Sequence, residues 1–273
     1  MSPYTQIDYL SYKSRQSLTI TQHGRGGTSA TQRDTSLYYD YTSASDYIIV
    51  YPQGLTGSAS TSWQGPSYAS PGVDDIEFVS DLLDYLEDNF CIDTNRVYAS
   101  GKSNGGGFVD LLACSDVGDK FAAFAMAAAA LYTDTSLTSC TKKRAILESH
   151  GLADPTIPYS GGQGLGGPLP NIDDWVGWWG TRDCGASSSA TSSIEQREGY
   201  EVETISCDGG VQDVVKHFRL DSPAAHCWPN AQGDNYDSLR IPKGCGNARM
   251  LDFTEEVLEW FGRWELGSAP QSQ

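Results

Sequence analysis

The sequence has few basic residues and no long apolar run. Its 18 lysines and arginines are outnumbered by 35 aspartates and glutamates, which gives a formal net charge of −17. A field of this sign repels the phosphates of nucleic acids and the anionic faces of membranes. The longest apolar stretch, residues 121–132, is shorter than the roughly 18 to 20 residues that span a bilayer. We therefore expect neither a nucleic-acid partner nor a membrane partner.

A signal peptide and zinc-type cysteine patterns are also missing. The first 15 residues lack the apolar stretch of a signal peptide, so we expect any leader of a secreted form to be absent from this sequence. No CxxC pair occurs, and no cysteine lies beside a histidine at zinc-like spacing. The seven cysteines are Cys91, Cys114, Cys140, Cys184, Cys207, Cys227 and Cys245. This usage favours disulfides in an extracellular, oxidising compartment, with one cysteine left over and no metal site.

Strand-like and helix-like segments alternate along the 273 residues. Buried parallel strands read as continuous apolar runs, and four such runs end in glycine. They are residues 17–24, 47–54, 96–101 and 145–151. Residues 74–90 and 253–264 carry apolar side chains at helical spacing. The alternation predicts the α/β class, with a mostly parallel central sheet flanked by helices in a single domain spanning residues 1–273.

The segment 160–208 differs from the rest of the chain. It joins a glycine- and proline-rich stretch to a tryptophan-rich one and then to a serine- and alanine-rich one. Glycine and proline punctuate it too densely for a sheet strand, whereas the tryptophans indicate packing. We predict a packed insert after the strand at 145–151.

The stretch Gly101-Lys102-Ser103-Asn104-Gly105 fits the nucleophile-elbow pattern G-x-S-x-G. In that motif, small flanking residues permit a strained turn between a strand and a helix, and the turn exposes the serine hydroxyl. A glycine-rich turn with an incidental serine is the alternative. A phosphate loop is disfavoured, because residue 96 is arginine where the Walker pattern requires its first glycine.

A serine nucleophile needs a base, and the chain offers only four histidines. His226 follows a strand on a loop near the carboxyl terminus, where a base can face the elbow. His217 is the alternative, although it lies inside a predicted strand. His23 and His150 each stand before a glycine at a strand end, and we expect them to have structural roles.

The acid of a Ser-His-acid triad should lie between the serine and the histidine in the sequence. Asp154 follows the strand at 145–151, where its carboxylate can receive the second ring N–H of the base. Asp173 and Asp174 are alternatives within the insert, but they are better placed to cap a helix.

A tetrahedral intermediate also requires N–H donors aimed at its oxyanion. The residue after the nucleophile, Asn104, supplies one backbone donor in this motif. The glycine-rich turn at 23–28 follows the first predicted strand, and we predict the backbone N–H of Arg25 as the second donor.

Six stretches of the sequence together resemble the fungal feruloyl esterases of carbohydrate esterase family one, which are relatives of secreted polyhydroxybutyrate depolymerase-like esterases. They are HGRGGT, YPQGL, SWQG, GVDDIEFVSDLLDYLEDNFCIDTNRVYASGKSNGGG, HGLADPTIPYSGG and HCWPN, within residues 17–264. The resemblance implies an α/β-hydrolase fold, secretion, and hydrolysis of the ester that joins ferulate or a related hydroxycinnamate to arabinose on plant cell-wall xylan. The family triad falls on Ser103, Asp154 and His226.

The resemblance also implies a substrate but no cofactor. The partner would be a feruloylated polysaccharide or oligosaccharide, and we expect a monomer. Trp63 and Trp228 are candidates to line the aromatic acyl pocket by ring stacking. The same machinery suits acetylxylan or a polyester, and it can pass an acyl group to a sugar hydroxyl. A catalytically silent carbohydrate-binding protein is the alternative from another class.

Members of this family carry more chain, including a cysteine, before the strand at 17–24. We therefore expect an amino-terminal strand to be missing or altered. Together with this resemblance, we expect the cysteine pairs Cys114–Cys140, Cys184–Cys207 and Cys227–Cys245, with Cys91 unpaired. Sequence alone does not establish this connectivity.

Overall fold

The computed structural model describes residues 6–8, 15–57, 60–185, 188–230 and 251–270. Its strands are β1 (Gln6–Asp8), β2 (Gln16–Gln22), β3 (Tyr47–Tyr51), β4 (Leu55–Thr56), β5 (Thr61–Ser62), β6 (Ile92–Lys102), β7 (Ala123–Ala127), β8 (Ile146–Gly151), β9 (Gly162–Gly164), β10 (Gly167–Leu169), β11 (Ala190–Arg197), β12 (Tyr200–Cys207) and β13 (Val215–Leu220). Its α-helices are α1 (Ser29–Ser36), α2 (Asp75–Asn89), α3 (Asn104–Ala113), α4 (Ile172–Cys184) and α5 (Phe253–Arg263).

The largest sheet in these ranges has nine strands in the order β1-β3-β2-β6-β7-β8-β13-β12-β11. Neighbours from β3 to β13 are parallel, whereas β1, β12 and β11 are added antiparallel at the two edges. The mostly parallel sheet is confirmed. A strand, β1, does precede β2, and it places Ile7 opposite Val50.

Helices pack on both faces of the sheet because side chains alternate along each strand. In β7, Phe124 and Met126 join the apolar cluster that contains the buried residues of α2, α3 and α4. The intervening alanines face the cluster that contains α5, where Phe261 stacks on Tyr98 with ring centroids 4.6 Å apart. The longest apolar stretch, residues 121–132, therefore contains a buried central strand, β7. Within the described ranges, no helix is long and apolar enough to cross a bilayer.

The two predicted amphipathic helices form close to their expected bounds. Asp74 caps α2, because its side chain accepts hydrogen bonds from the backbone N–H groups of Ile76 and Glu77. The acidic helix start in the insert is also present as α4, but its cap is Asn171, and Asp173 and Asp174 lie in the first turn.

The prediction that residues 160–208 hold no sheet strand is wrong for their second half. The glycine-rich part forms the β9–β10 hairpin and α4, but β11 and β12 extend the main sheet. All eight residues of β11 are exposed, so this edge strand lacks the apolar alternation by which strands are recognised.

Two of the three expected disulfides are present. Cys114 bonds to Cys140 and Cys184 bonds to Cys207. Cys91 is exposed and outside these bonds, as expected. Cys245 lies outside the described residues, so its pairing with the buried Cys227 stays a prediction.

Candidate active site

Ser103 forms a strained turn between β6 and α3. Its φ of 56° and ψ of −121° are values that a residue with a β-carbon rarely adopts. The turn is fixed by backbone hydrogen bonds, since Ser103 N donates to Ala127 O at 2.9 Å and Ser103 O accepts from Gly107 N and Ala130 N at 2.9 Å. The half-buried Ser103 thus stands at the carboxyl edge of the sheet, in the geometry of a nucleophile elbow.

Two glycines of the motif provide the room that this turn requires. A β-carbon on Gly101 would lie 2.5 Å from the carbonyl oxygen of Gly105, inside the turn. A β-carbon on Gly105 would overlap the carbonyl oxygen of Gln22 at the end of β2. The elbow and the end of β2 are consequently in backbone contact, which brings the turn after β2 beside Ser103.

Asp154 and His226 meet because β8 and β13 are parallel neighbours. Asp154 follows β8, His226 follows β13, and His226 Nδ1 donates to Asp154 Oδ2 at 2.7 Å. Asp154 Oδ1 accepts the backbone N–H groups of Thr156 and Ile157 at 2.8 and 2.9 Å. Both carboxylate oxygens are therefore held, and His226 and Asp154 are buried.

The electrostatics of Asp154 favour its charged form. Burial alone would raise its pKa, but the close contact with His150 and the hydrogen bond from His226 outweigh that effect and hold the pKa of Asp154 well below its usual range. His150 Nε2 lies 3.5 Å from Asp154 Oδ2. Sequence reasoning gave His150 only a structural role and did not connect it with this carboxylate.

The turn after β2 lies against the serine. A β-carbon on Gly24 would be 3.2 Å from Ser103 Cβ and 3.7 Å from its hydroxyl oxygen. The carbonyl of Gly24 accepts from His23 Nδ1 at 2.8 Å and from Gly27 N at 2.9 Å. Because the peptide is trans, the N–H of Arg25 points the opposite way from this carbonyl.

His23 is neutral. Its Nδ1 donates to a carbonyl, so its Nε2 accepts the backbone N–H of Gly54 at 3.0 Å and faces the amide nitrogen of Gln53 at 3.1 Å. Burial lowers the pKa of His23 to about 4, although its hydrogen bond to Gly24 opposes this shift. His23 therefore holds the Gly24 carbonyl as an uncharged donor.

Trp63 connects this turn to Asn104. The side chain of Asn104 accepts from Trp63 N at 2.8 Å and donates to Trp63 O at 3.2 Å. The indole of Trp63 in turn donates to His23 O at 2.9 Å. The two predicted oxyanion donors thus belong to segments that one tryptophan joins, which the sequence did not reveal.

Neither tryptophan predicted to contact substrate has accessible surface. Trp63 and Trp228 are both 0% exposed. The indole of Trp228 donates to Thr254 Oγ1 at 2.9 Å, in the packing between the base-bearing loop and α5. A ring without accessible surface cannot stack on an acyl group, so the structure assigns both side chains to support of the site.

The alternative base and acids lie elsewhere. The ring nitrogens of His217 face Glu148, at 2.8 Å, and the hydroxyl of Tyr159, at 2.9 Å. Asp173 accepts the hydroxyl hydrogen of Tyr159, and Asp174 lies in the first turn of α4. His217 and Asp173 thus both bind Tyr159, and the contacts described here do not connect either of them with Ser103.

Partly exposed aromatic side chains lie close in the chain to residues that contact the elbow. Arg25 follows Gly24, and Tyr132 is two residues after Ala130. The guanidinium of Arg25 lies 5.0 Å from the ring centre of Tyr68, which packs edge-on against Tyr132 at 6.1 Å. The β9–β10 hairpin packs against both rings, since Ser67 N donates to Gly166 O at 2.8 Å and a β-carbon on Gly166 would lie within 2.9 Å of each ring. We call Arg25, Tyr68 and Tyr132 the aromatic wall; the sequence gave no signal that joined these three residues.

A second buried acidic cluster serves packing. Asp110 Oδ1 accepts the indole N–H groups of Trp175 and Trp179, each at 3.3 Å, and burial raises its pKa well above the usual value. The neighbouring Asp134 forms two hydrogen bonds of 2.7 Å with Arg182. Cys114, the third residue close enough to share an ion with them, is in a disulfide. These contacts join α3 to α4.

The sheet, the elbow and the His–Asp pair after neighbouring parallel strands define the α/β-hydrolase fold. The model of the prolyl oligopeptidase family matches residues 33–149. An acetyl xylan esterase from Aspergillus awamori superposes with a TM-score of 0.60 at 14% identity, covering 94% of this chain and 93% of that one. A thermostable esterase superposes with a TM-score of 0.56 at 14% identity, covering 96% and 58%. The predicted fold is confirmed.

The sequence relatives are fungal esterases. A bifunctional acetylxylan esterase/xylanase of Neocallimastix patriciarum is 27% identical over 206 residues, 74% of this chain and 28% of that protein. Feruloyl esterase D of Neurospora crassa is 30% identical over 121 residues, 43% of this chain and 37% of that protein. The chain thus spans about a third of the length of such relatives. The predicted relationship to fungal esterases is confirmed.

Proposed function

We propose that the chain is a secreted serine esterase that hydrolyses feruloyl or related hydroxycinnamoyl esters of plant cell-wall arabinoxylan. The observation that carries the proposal is the strained Ser103 elbow at the carboxyl edge of the same sheet that positions a buried His226–Asp154 pair with a 2.7 Å hydrogen bond. A Ser-His-Asp set of this kind activates a hydroxyl as a nucleophile.

In the first half of the reaction, His226 accepts the proton of Ser103 as Oγ attacks the ester carbonyl carbon. The carbonyl oxygen becomes an oxyanion, which the backbone N–H groups of Arg25 and Asn104 stabilise. When the intermediate collapses, the bond to the alcohol oxygen breaks and His226 returns the proton to the leaving alcohol. The acyl group is then esterified to Ser103.

In the second half, His226 removes a proton from water, and the resulting nucleophile attacks the acyl-enzyme. Collapse of this second intermediate breaks the bond to Ser103 Oγ, releases the carboxylic acid and restores the serine hydroxyl. Asp154 remains ionised throughout, orients His226 and stabilises its protonated form.

The choice of substrate rests on the relatives and on the aromatic wall. Several sequence relatives bear the name feruloyl esterase, and Tyr68 and Tyr132 offer partly exposed rings on the aromatic wall. Planar hydroxycinnamoyl groups can stack on such rings. Secretion is supported by the two disulfides, which persist in oxidising compartments.

A second candidate is an acetylxylan esterase on the same triad. It is favoured by the relative that matches the largest share of this chain among those described above, the bifunctional acetylxylan esterase/xylanase. This reaction would use the same Ser103 chemistry with a small acyl group, for which the aromatic wall would be unnecessary.

The test is a substrate panel of methyl hydroxycinnamates, acetylated xylan and polyhydroxybutyrate, applied to the wild type and to Ser103→Ala. We expect hydrolysis of methyl ferulate that Ser103→Ala abolishes while the circular dichroism spectrum is unchanged. Preference for acetylated xylan would select the second candidate. Undiminished hydrolysis by Ser103→Ala, or no reaction of the wild type with a fluorophosphonate probe, would contradict a serine esterase.

A further inference from the structure

A chain of buried ionisable groups leads from Asp154 into the sheet. Beyond the 3.5 Å contact with Asp154, His150 Nδ1 donates to Glu148 Oε1 at 3.0 Å. Glu148 Oε2 lies 2.8 Å from His217 Nδ1, although the two are not aligned for a linear hydrogen bond. Through Tyr159 the chain continues to Asp173 on α4. The triad proposed above uses none of these groups beyond Asp154.

His150 faces only acceptors. Its Nδ1 meets the carboxylate of Glu148, and its Nε2 meets the carbonyl oxygen of Ile157 at 2.9 Å as well as Asp154. An ionised carboxylate and a carbonyl can accept a hydrogen but cannot donate one, so both ring nitrogens must carry hydrogens. His150 is therefore an imidazolium, and its side chain is 0% exposed, as are those of Glu148 and Asp154.

The surrounding charges keep that imidazolium protonated. Burial opposes the charge, but Glu148 and then Asp154 outweigh it and raise the pKa of His150 to about 10. Burial would likewise raise the pKa of Glu148, yet His150 holds it below its ordinary value. Glu148, His150 and Asp154 together carry one negative charge, which proton uptake by His226 neutralises.

We propose that His150 is a positioning residue, a buried cation that keeps Asp154 ionised and sets how readily His226 accepts a proton. The proposal deepens the proposed function and rests on its triad. A permanent positive charge beside Asp154 disfavours a second positive charge on His226. His150 therefore lowers the basicity that Asp154 would otherwise confer on His226, and the enzyme keeps its base unprotonated at lower pH.

Other charged and titratable groups face this cluster from three elements. They are His217 and Arg219 on β13, Tyr159 on the loop after β8, whose ring packs edge-on to His150 at 5.8 Å, and Asp173 on α4, 3.9 Å from Arg219. Of these, His217 contacts Glu148 but not Asp154. It provides a matched control, because its removal also costs a buried histidine next to Glu148.

The test is the pH dependence of kcat/KM for an ester that the wild type hydrolyses, such as methyl ferulate. The acid limb is the fall of kcat/KM at low pH, where His226 becomes protonated. In His150→Gln, we expect the midpoint of this limb to rise by about one pH unit, because one nearby like charge has been removed, and KM should change little. His217→Gln should lower stability but leave the acid limb in place. An unshifted limb in folded His150→Gln, with activity reduced equally at every pH, would overturn the proposal.

Two further measurements cover a variant that fails to fold. The double variant Glu148→Gln/His150→Gln removes both charges of the pair, and its acid limb should still rise, although by less than in His150→Gln. In the wild type, ring ¹⁵N shifts assigned through bonds should show His150 doubly protonated at pH 8. A neutral His150 at that pH overturns the proposal even in an inactive protein, whereas absence of Ser103-dependent hydrolysis contradicts the proposed function alone.

Discussion

His23 and His150 occupy equivalent places in the sequence but opposite electrostatic states. Each precedes a glycine at the end of a parallel strand, and each is buried behind a loop of the candidate site. His23 receives an N–H from the backbone of Gly54 and is neutral, whereas His150 meets two carboxylates and is charged. The state of a buried histidine is thus decided by whether donors or acceptors face its two ring nitrogens, and not by its place before a glycine at a strand end.

The largest effect should come from replacing Asp154, the carboxylate that contacts both the charged His150 and His226. Asp154→Asn would remove the acceptor for both His226 and His150, and it would favour the wrong tautomer of the base. We expect kcat to fall by about four orders of magnitude. Steady-state kinetics on methyl ferulate checks this, and a loss below tenfold would show that Asp154 is not the triad acid.

The stability curve should separate the two histidines by pH. The pKa of His23 is lowered, so its stabilising effect is present above its unfolded value near 6.5 and is lost as the pH falls toward 4. The pKa of His150 is raised, so its contribution is present below pH 6.5 and is lost as the pH rises toward 10. Urea unfolding of the wild type between pH 4 and pH 10 should show both declines.

Replacing each histidine assigns the two declines. In His23→Asn, the free energy of unfolding should fall by about 3 kcal/mol less between neutral and acidic pH than in the wild type, which is the equivalent of the pKa shift of His23. Its fall at alkaline pH should be unchanged. His150→Gln should flatten the alkaline side alone. If both variants changed the same limb, the contrast between a neutral and a charged histidine would be wrong.

A carboxylate placed next to His23 should raise the pKa of this histidine, as Glu148 and Asp154 raise that of His150. Gln53 Nε2 lies 3.1 Å from His23 Nε2, so Gln53→Glu places an acceptor where a donor now stands. We expect the pKa of His23 to rise from about 4 by about 2 units. Titration of the His23 ring by NMR measures this, with Gln53→Leu as the uncharged control.

The smallest effect should come from removing the hydrogen bond that Trp63 donates to the backbone of the neutral His23. Trp63→Phe would remove the indole N–H that binds His23 O but would retain an aromatic ring against Phe108, to which Trp63 stacks at 5.4 Å. The turn that carries the Arg25 donor should then be less well fixed. We expect kcat to fall by about tenfold with KM nearly unchanged, because oxyanion stabilisation acts on the transition state. A rise in KM alone would point instead to substrate contact.

Much of this site could be predicted from the sequence because its residues follow strand ends. Parallel strands deliver their carboxyl-terminal loops to one edge of the sheet, so Ser103, Asp154 and His226 could be expected at the same edge once the strands were recognised. The glycines around Ser103 also indicate a tight turn, because a β-carbon at Gly101 or Gly105 would overlap the backbone.

The supporting residues could not be predicted in the same way. Glu148 and His150 are two positions apart and so share a face of β8. The contact of His150 with Asp154, however, depends on the path of the loop between them. The role of Trp63 likewise depends on how residues 60–64 approach the turn after β2, and no local pattern encodes that approach.

The exposed edge strand β11 has a consequence for behaviour in concentrated solution. β11 pairs with β12 along one edge and is the last strand of the sheet in the described ranges, and the outer backbone edge of such a strand can pair with a second chain, which is a route to aggregation. Serine, threonine and charged side chains fill most of β11, and Arg197 pairs with Glu195 near its end. Another molecule that added a strand there would have to desolvate this polar surface for little apolar contact, so the sheet can end at β11 without nucleating fibrils.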